Sequence, residues 1–400
     1  MFQPLKGMRV VDLSQVLAGP YATYLLALMG AEVIKIEKPG EGDWTRRTGL
    51  TPDLAGQGMA LNFLTQNGGK KSVTLNLKTA EGKEIARKLA ASANVFVENF
   101  KPGVAARLGF GFEEVRALRS DIVYCSISAF GQNGPMSPRP AYDHVIQGMC
   151  GIMLTTGKPG GGPTKVGAPY VDFATGMNAA MAVMAGLMEV QRTGAAVQVD
   201  VAMLDTALML MASLMTQHMT AGWKPAQNGN EAWSASPSSG AFETARGTLM
   251  LAANNEPQFR KLCTAVNRRD ILEDPRWSTP EARKQNGAAL RETLNRTFLT
   301  GTAEEWEALL EQAEVPAAKV RSLNETLAEP QIAARGLLSE IDLAGSGQKV
   351  HLPSMSFRAN GESVAPQSPP PALGADTESV LAELGIDGPA LEKLRAAGAV

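Results

Sequence analysis

The stretch that decides the fold runs from residue 8 to residue 37 and reads MRVVDLSQVLAGPYATYLLALMGAEVIKIE. Met8 to Leu13 is an apolar run with the pattern of a strand, and Gly19-Pro20 punctuates it, proline being well placed at a helix start. Tyr21 to Met29 then reads as a helix and Ala31 to Glu37 as a second strand, which predicts a βαβ unit. The pattern continues outward. Ser72 to Leu77 is a strand candidate, and Thr79 caps a helix through about Ala91, with Glu81 in the first turn where the helix dipole favours negative charge. Ala93 to Phe100 reads as a strand, Glu113 to Ser120 as a short helix and Asp121 to Ser128 as the next strand. Such alternation predicts an α/β fold, a parallel sheet with helices on its faces.

Further along, Gly157 to Gly167 is a loop rich in glycine and proline, and Asp172 to Arg192 a long helix of small residues and methionine. The most apolar stretch, Val199 to Met215, is interrupted by Asp200, Asp205 and Ser213 and falls short of the roughly 18 to 20 clean apolar residues of a membrane span. It reads as a buried strand and helix. Glycine, asparagine, serine and proline dominate Trp223 to Gly247, before a strand at Thr248 to Ala253 and helices at Pro257 to Val266 and Thr302 to Gln312. These predict a second domain, after which Pro366 to Pro371 forms an extended spacer and terminal helices rejoin the first domain.

Composition removes several function classes. Lys plus Arg number 38 against 40 Asp plus Glu, so no basic surplus exists to neutralise a nucleic-acid backbone. The three cysteines form no CxxC pair, which argues against a disulfide framework and for a reducing compartment. No charged leader with a long apolar stretch opens the sequence, so a cytoplasmic location is expected. His144, His218 and His351 are scattered without HExxH, and no metal centre is expected. His144 does adjoin Asp143, but adjacent residues on one segment usually point apart. There is no Gly-x-Ser-x-Gly elbow. Gly160-Gly161-Gly162 precedes Pro163, unlike a Walker loop, and the first βα turn lacks GxGxxG, which disfavours dinucleotide binding.

What remains is Asp172, in Gly-Ala-Pro-Tyr-Val-Asp-Phe-Ala-Thr-Gly, following an apolar segment and opening a helix. Aspartate there is a good N-cap. Equally, a carboxylate held at the end of a glycine-rich loop can act as a nucleophile and form a covalent intermediate.

Several blocks, taken in order, resemble the family III CoA-transferases, the group that includes formyl-CoA transferase, carnitine CoA-transferase and α-methylacyl-CoA racemase. They are Leu5 to Ser14, Leu17-Ala-Gly-Pro20, Gly30 to Glu37, Asn67 to Lys78, Val97 to Gly103 and Arg107-Leu-Gly. Gly131-Gln-Asn-Gly-Pro, Arg139 to Asp143 with Gln147, the Asp172 block, Val315 to Val320 and Leu373 to Thr377 complete the series. The resemblance implies a large Rossmann-like α/β domain (1–222 and 328–400) whose parallel sheet takes strands from both chain ends. It also implies a smaller inserted α+β domain (223–327) and an interlocked homodimer.

The implied activity is transfer of CoA from an acyl-CoA to a small free carboxylic acid, with succinyl-CoA a common donor in the family. Asp172 falls at the position of the nucleophilic aspartate, which would pass through an anhydride and an aspartyl-CoA thioester. No cofactor is held permanently; the CoA thioester is a substrate. CoA contacts would fall on Ala18, Lys38, Leu75, Asn76, Lys78, Asn99, Phe100, Lys101 and Arg107, with Arg139 and Tyr142 near the pantetheine and the reacting centre. Gly160 to Gly162 and Ser234 to Ser239 are candidate walls of the pocket. The alternative is a 2-methylacyl-CoA racemase using Asp172 as a proton-transfer base. Tyr142 stands where the racemase branch has a histidine base, and tyrosine is a poor base at neutral pH. Glu256 matches a racemase active-site glutamate, which keeps that alternative in view.

Overall fold

In the computed structural model, which describes residues 2–232, 234–343 and 347–400, the alternating pattern becomes a six-stranded sheet. Its elements are β1 (Arg9–Asp12), α1 (Ala18–Leu28), β2 (Glu32–Glu37), β3 (Lys71–Thr74), α2 (Ala80–Ser92), β4 (Val95–Glu98), α3 (Phe112–Leu118) and β5 (Val123–Ser128). Then come α4 (Asp143–Cys150), α5 (Tyr170–Thr193), β6 (Val197–Ala202), α6 (Met203–Met209) and α7 (Ala212–Ala221). Every pairing is parallel and the order is β3-β2-β1-β4-β5-β6. In register, Val11 lies level with Ile34 on one side and Phe96 on the other. Strands covered on both faces are buried at every residue, as β4 and β5 are even at Glu98, Ser126 and Ser128; the edge strand β6 instead alternates until Val201 and Ala202.

The pleat distributes successive residues to two cores. Val10, Val33, Val95, Val97 and Val123 meet Tyr24 and Leu25 of α1 and Ala179 and Val183 of α5. Val11, Ile34, Val73, Phe96 and Tyr124 meet Ile85 and Leu89 of α2 and Val115 of α3. The expected cap of α2 is present, the Thr79 hydroxyl accepting from the Gly82 N–H at 3.0 Å. Helix α5 is long and apolar enough to cross a bilayer by length and composition alone. It buries Val171, Thr175, Ala179, Val183 and Gly186 at helical spacing, the stripe of a core helix.

Two expectations are corrected. The sheet takes all its strands from residues 9–202, so the later part of the chain adds no strand to it. That part instead closes the open edge of β3: the Asp376 carboxylate accepts from Ser72 N at 2.9 Å and the Thr377 hydroxyl from Thr74 N at 3.0 Å. Side chains thus take the N–H groups that a further strand would have paired. Val199 to Met215 is also only partly buried, since α7 buries none of its residues.

The chain divides into two compact units, Met1–Met153 with Lys165–Lys224 and Pro330–Val400, and Leu154–Thr164 with Pro225–Glu329. The glycine-rich segment was expected in the larger unit, but Gln227 Nε2 donates to the Thr156 and Gly162 carbonyls at 2.6 Å each and ties it into the smaller one. That unit has an antiparallel sheet of β7 (Ser239–Glu243), β8 (Thr248–Ala252) and β9 (Ala317–Lys319). Its own core includes Phe242, Leu251, Phe259, Leu294 and Phe298. Of the predicted Ser234 to Ser239 wall, Ser238 and Ser239 are buried, Ser239 opening β7.

Candidate active site

A cavity of about 300 Å3 lies at the carboxyl ends of β1, β4 and β5. Its wall comprises the turn Gln15 to Ala18 after β1, Asn99 to Lys101 after β4, Ile127 to Ala129 at the end of β5, Tyr142 and Asp172. In an open α/β sheet ligands settle where the strand order reverses, and β1 is flanked here by β2 on one side and β4 on the other. The cavity occupies that crevice.

Helix geometry brings Asp172 to it. A Cβ at Gly176 would stand 2.8 Å from the Ala18 carbonyl oxygen, so only glycine lets α5 press this closely on α1. One turn earlier, the Phe173 ring meets Tyr21 edge-on with centroids 4.8 Å apart. The N-cap reading of Asp172 is overturned: α5 begins at Tyr170, and Asp172 is the third residue of its first turn. Capping falls instead to Asp143, at the start of α4, whose Oδ2 accepts from the N–H groups of Val171 (2.8 Å) and Asp172 (3.2 Å). Gln147, one turn along α4, donates to Asp143 Oδ1 at 2.6 Å and accepts from Val166 N at 2.9 Å. Asp143 is buried while His144 is exposed, so the adjacent pair does point apart.

Relieved of capping, the Asp172 carboxylate has no hydrogen-bond or ion-pair partner among the described residues. Burial, and secondarily the negative charge of Asp143, push its carboxyl up to about 7. A half-buried, unpaired carboxylate on a cavity wall is held with little solvation, the setting in which a carboxylate can act as a nucleophile or a base. Beneath the neighbouring turn, burial raises Glu98 to about 7 as well, and its Oε2 accepts from Phe100 N at 2.8 Å.

The model of the family described as CoA-transferase family III matches residues 5–377. The chain belongs to this family. Within it, succinyl-CoA:glutarate CoA-transferase of Mus musculus is 36% identical over 399 residues, spanning 100% of this chain and 90% of the relative. Succinate–glutarate CoA-transferase of Agrobacterium fabrum is 36% identical over 387 residues, 95% of this chain and 96% of the relative. Among solved structures, a CaiB/BaiF family protein from Brucella suis superposes with a TM-score of 0.83 at 33% identity, covering 96% of this chain and 100% of that one.

Of the site residues expected from resemblance to this family, Ala18, Asn99, Phe100, Lys101, Tyr142 and Asp172 line the one cavity. The others do not. Leu75 is a core residue, and Asn76 shapes the turn after β3, accepting from Lys78 N and donating to the Gly398 carbonyl at 3.1 Å each. Lys38 pairs with Glu41 at the surface, and Lys78 and Arg107 are exposed. Arg139 is exposed too, its guanidinium 5.9 Å from the Phe130 ring centre. Glu256 belongs to the smaller unit, at the start of a helix (Glu256–Ala265), where Arg283 and Arg260 engage both its oxygens. Sequence reasoning passed over Asp143 and Gln147 as supports for Asp172. Their spacing of four was the available signal, since such residues share a helix face.

Proposed function

We propose that this CoA-transferase moves CoA from an acyl-CoA to a free carboxylic acid, with Asp172 as the nucleophile. The unpaired carboxylate of Asp172 in a cavity at the sheet's crossover carries the reading. Its ionised oxygen attacks the thioester carbonyl, forming an acyl-aspartyl anhydride and expelling CoA thiolate. The thiolate returns to the aspartyl carbonyl, the donor acid departs and an aspartyl-CoA thioester remains. An acceptor carboxylate then attacks that thioester, and the released thiolate takes the acyl group from the second anhydride, regenerating Asp172. Since thioesters on both sides are near in energy, the site has mainly to orient the reactants and keep water from the anhydride.

The relatives named as succinyl-CoA:glutarate CoA-transferases support small dicarboxylates as donor and acceptor acids. Ala18, Asn99, Phe100, Lys101 and Tyr142 are the residues we place around the thioester end of CoA, with Lys38, Asn76, Lys78, Arg107 and Arg139 along the rest of the CoA substrate. We read the larger unit as the CoA-binding domain.

A homodimer belongs to the same proposal. Helices α5, α6 and α7 expose Met181 (65%), Met188 (70%), Met209 and Met219 (77%), apolar side chains that a partner surface would take out of water. A second copy packed on these helices would cover them.

The test is intact-protein mass spectrometry after incubation with a panel of acyl-CoAs, then hydroxylamine, comparing wild type with Asp172→Ala. A hydroxamate mapped to Asp172 and absent from the variant is expected. No adduct with any donor, together with deuterium exchange at the α-carbon of a 2-methylacyl-CoA, would replace transfer by racemisation.

A further inference from the structure

Among the described residues, Val16 is the one β-branched residue with a left-handed backbone, at φ 74°. Valine is disfavoured there because its branched Cβ crowds the neighbouring carbonyls, so the conformation persists only where the surroundings impose it. They do so in full. Ser14 N donates to Asp12 Oδ1 at 2.8 Å, and Ser14 O accepts from Lys35 Nζ at 2.6 Å. Gln15 exchanges two hydrogen bonds with the Asn99 side chain, at 2.9 and 2.7 Å. Val16 N donates to Asp43 Oδ2 at 3.1 Å, and its carbonyl accepts from Gln66 Nε2. The backbone N–H and carbonyl of three consecutive residues are thus each held by a side chain, five of the six from another part of the larger unit and the Ser14 N–H by Asp12 at the end of β1. Lys35 and Asp43 also pair with each other at 3.2 Å, both side chains 0% exposed, so one buried ion pair grips the turn on both sides of Gln15.

Such an arrangement exceeds what a connecting turn requires. The same turn, Gln15 to Ala18, forms the wall of the cavity that holds Asp172, and the close approach at Gly176 fixes one to the other. Resting on the transferase reading, we propose that Val16 is a positioning residue: its strained backbone, locked by the Lys35–Asp43 pair and Gln66, presents a rigid wall that orients the acyl thioester toward the Asp172 carboxylate. The lock acts on turnover, because misplacing a reacting carbonyl by a fraction of its contact distance costs rate while leaving most of the CoA contacts intact.

The experiment compares wild type, Val16→Gly and Val16→Ala. Glycine accepts the left-handed backbone without strain and frees the turn; alanine loses the two methyl groups but keeps most of the restriction. For Val16→Gly we expect kcat lower by about tenfold or more, KM for the acyl-CoA within about threefold, and a melting temperature equal to or above wild type. Val16→Ala should keep most of the wild-type kcat. A Val16→Gly enzyme with undiminished kcat would overturn the proposal, as would a Val16→Ala enzyme that loses as much as the glycine variant, since the side chain itself would then be responsible. Hydrogen exchange separates this from failure of the transferase reading. The Gln15 and Val16 amides should be protected in wild type and lose protection in Val16→Gly whatever reaction the site performs, and equal exchange in both would sink the lock by itself.

Discussion

At the scale of single residues, the site turns on two carboxylates with different environments. Asp143 accepts three hydrogen bonds, while Asp172 has none and is pushed up to about 7 by burial and by Asp143. In the proposed mechanism Asp172 must be ionised to attack, so kcat/KM should rise with pH through about 7 and level off above it, which a pH–rate profile with an acyl-CoA checks. Asp143→Asn removes the charge that helps raise Asp172 and should move that midpoint to lower pH. The linkage to stability has the opposite sense. A carboxyl whose folded value lies above its unfolded 3.8 binds more protons in the folded state between those two values, so stability falls as pH rises from about 4 to about 7. Asp172→Asn escapes that loss: it should abolish transfer yet be more stable than wild type at pH 8, by up to about a few kcal/mol of unfolding free energy in chemical denaturation. Asp172 was legible as a candidate from its sequence neighbourhood, but not its freedom from capping, because the competing cap comes from a residue 29 positions earlier.

Among the elements, the contact of α1 with α5 decides whether the site exists. Gly176 has no conformational need to be glycine within a helix; it is needed because a methyl group would meet the Ala18 carbonyl at 2.8 Å and the Tyr21 ring at 2.9 Å. Gly176→Ala should push the helices apart, costing about 1–3 kcal/mol in chemical denaturation and lowering kcat more than a helix-propensity change would. The helices themselves could be read from periodicity, and the strands from short, largely apolar, β-branched runs bounded by turn residues. Boundaries were less legible. Residue 172 looks like a helix start by its chemistry, yet the helix begins at Tyr170 because Asp143 satisfies the first-turn N–H groups from outside. The edge of β3 was likewise closed by side chains of Asp376 and Thr377, which no local pattern announces.

For the whole molecule, the exposed methionines of α5, α6 and α7 predict self-association. Light scattering over a range of concentrations should give a dimer, and Met181→Glu with Met188→Glu should yield monomer with a lower melting temperature, since an obligate interface contributes to folding stability. The order of strands, 3-2-1-4-5-6, places the cavity at the crossover, and the two compact units keep separate cores. The sequence by itself determined the α/β class, the βαβ opening, the family and the candidate nucleophile, because these rest on local periodicity and on motifs contiguous along the chain. Only the tertiary structure decided which predicted residues share a cavity, that Asp143 caps α5, that the sheet ends at β3 under side-chain cover, and that Val16 is held against its own preference. Those facts are contacts between segments far apart in the chain, and their energies come from burial and hydrogen bonding that exist only once the sheet has formed.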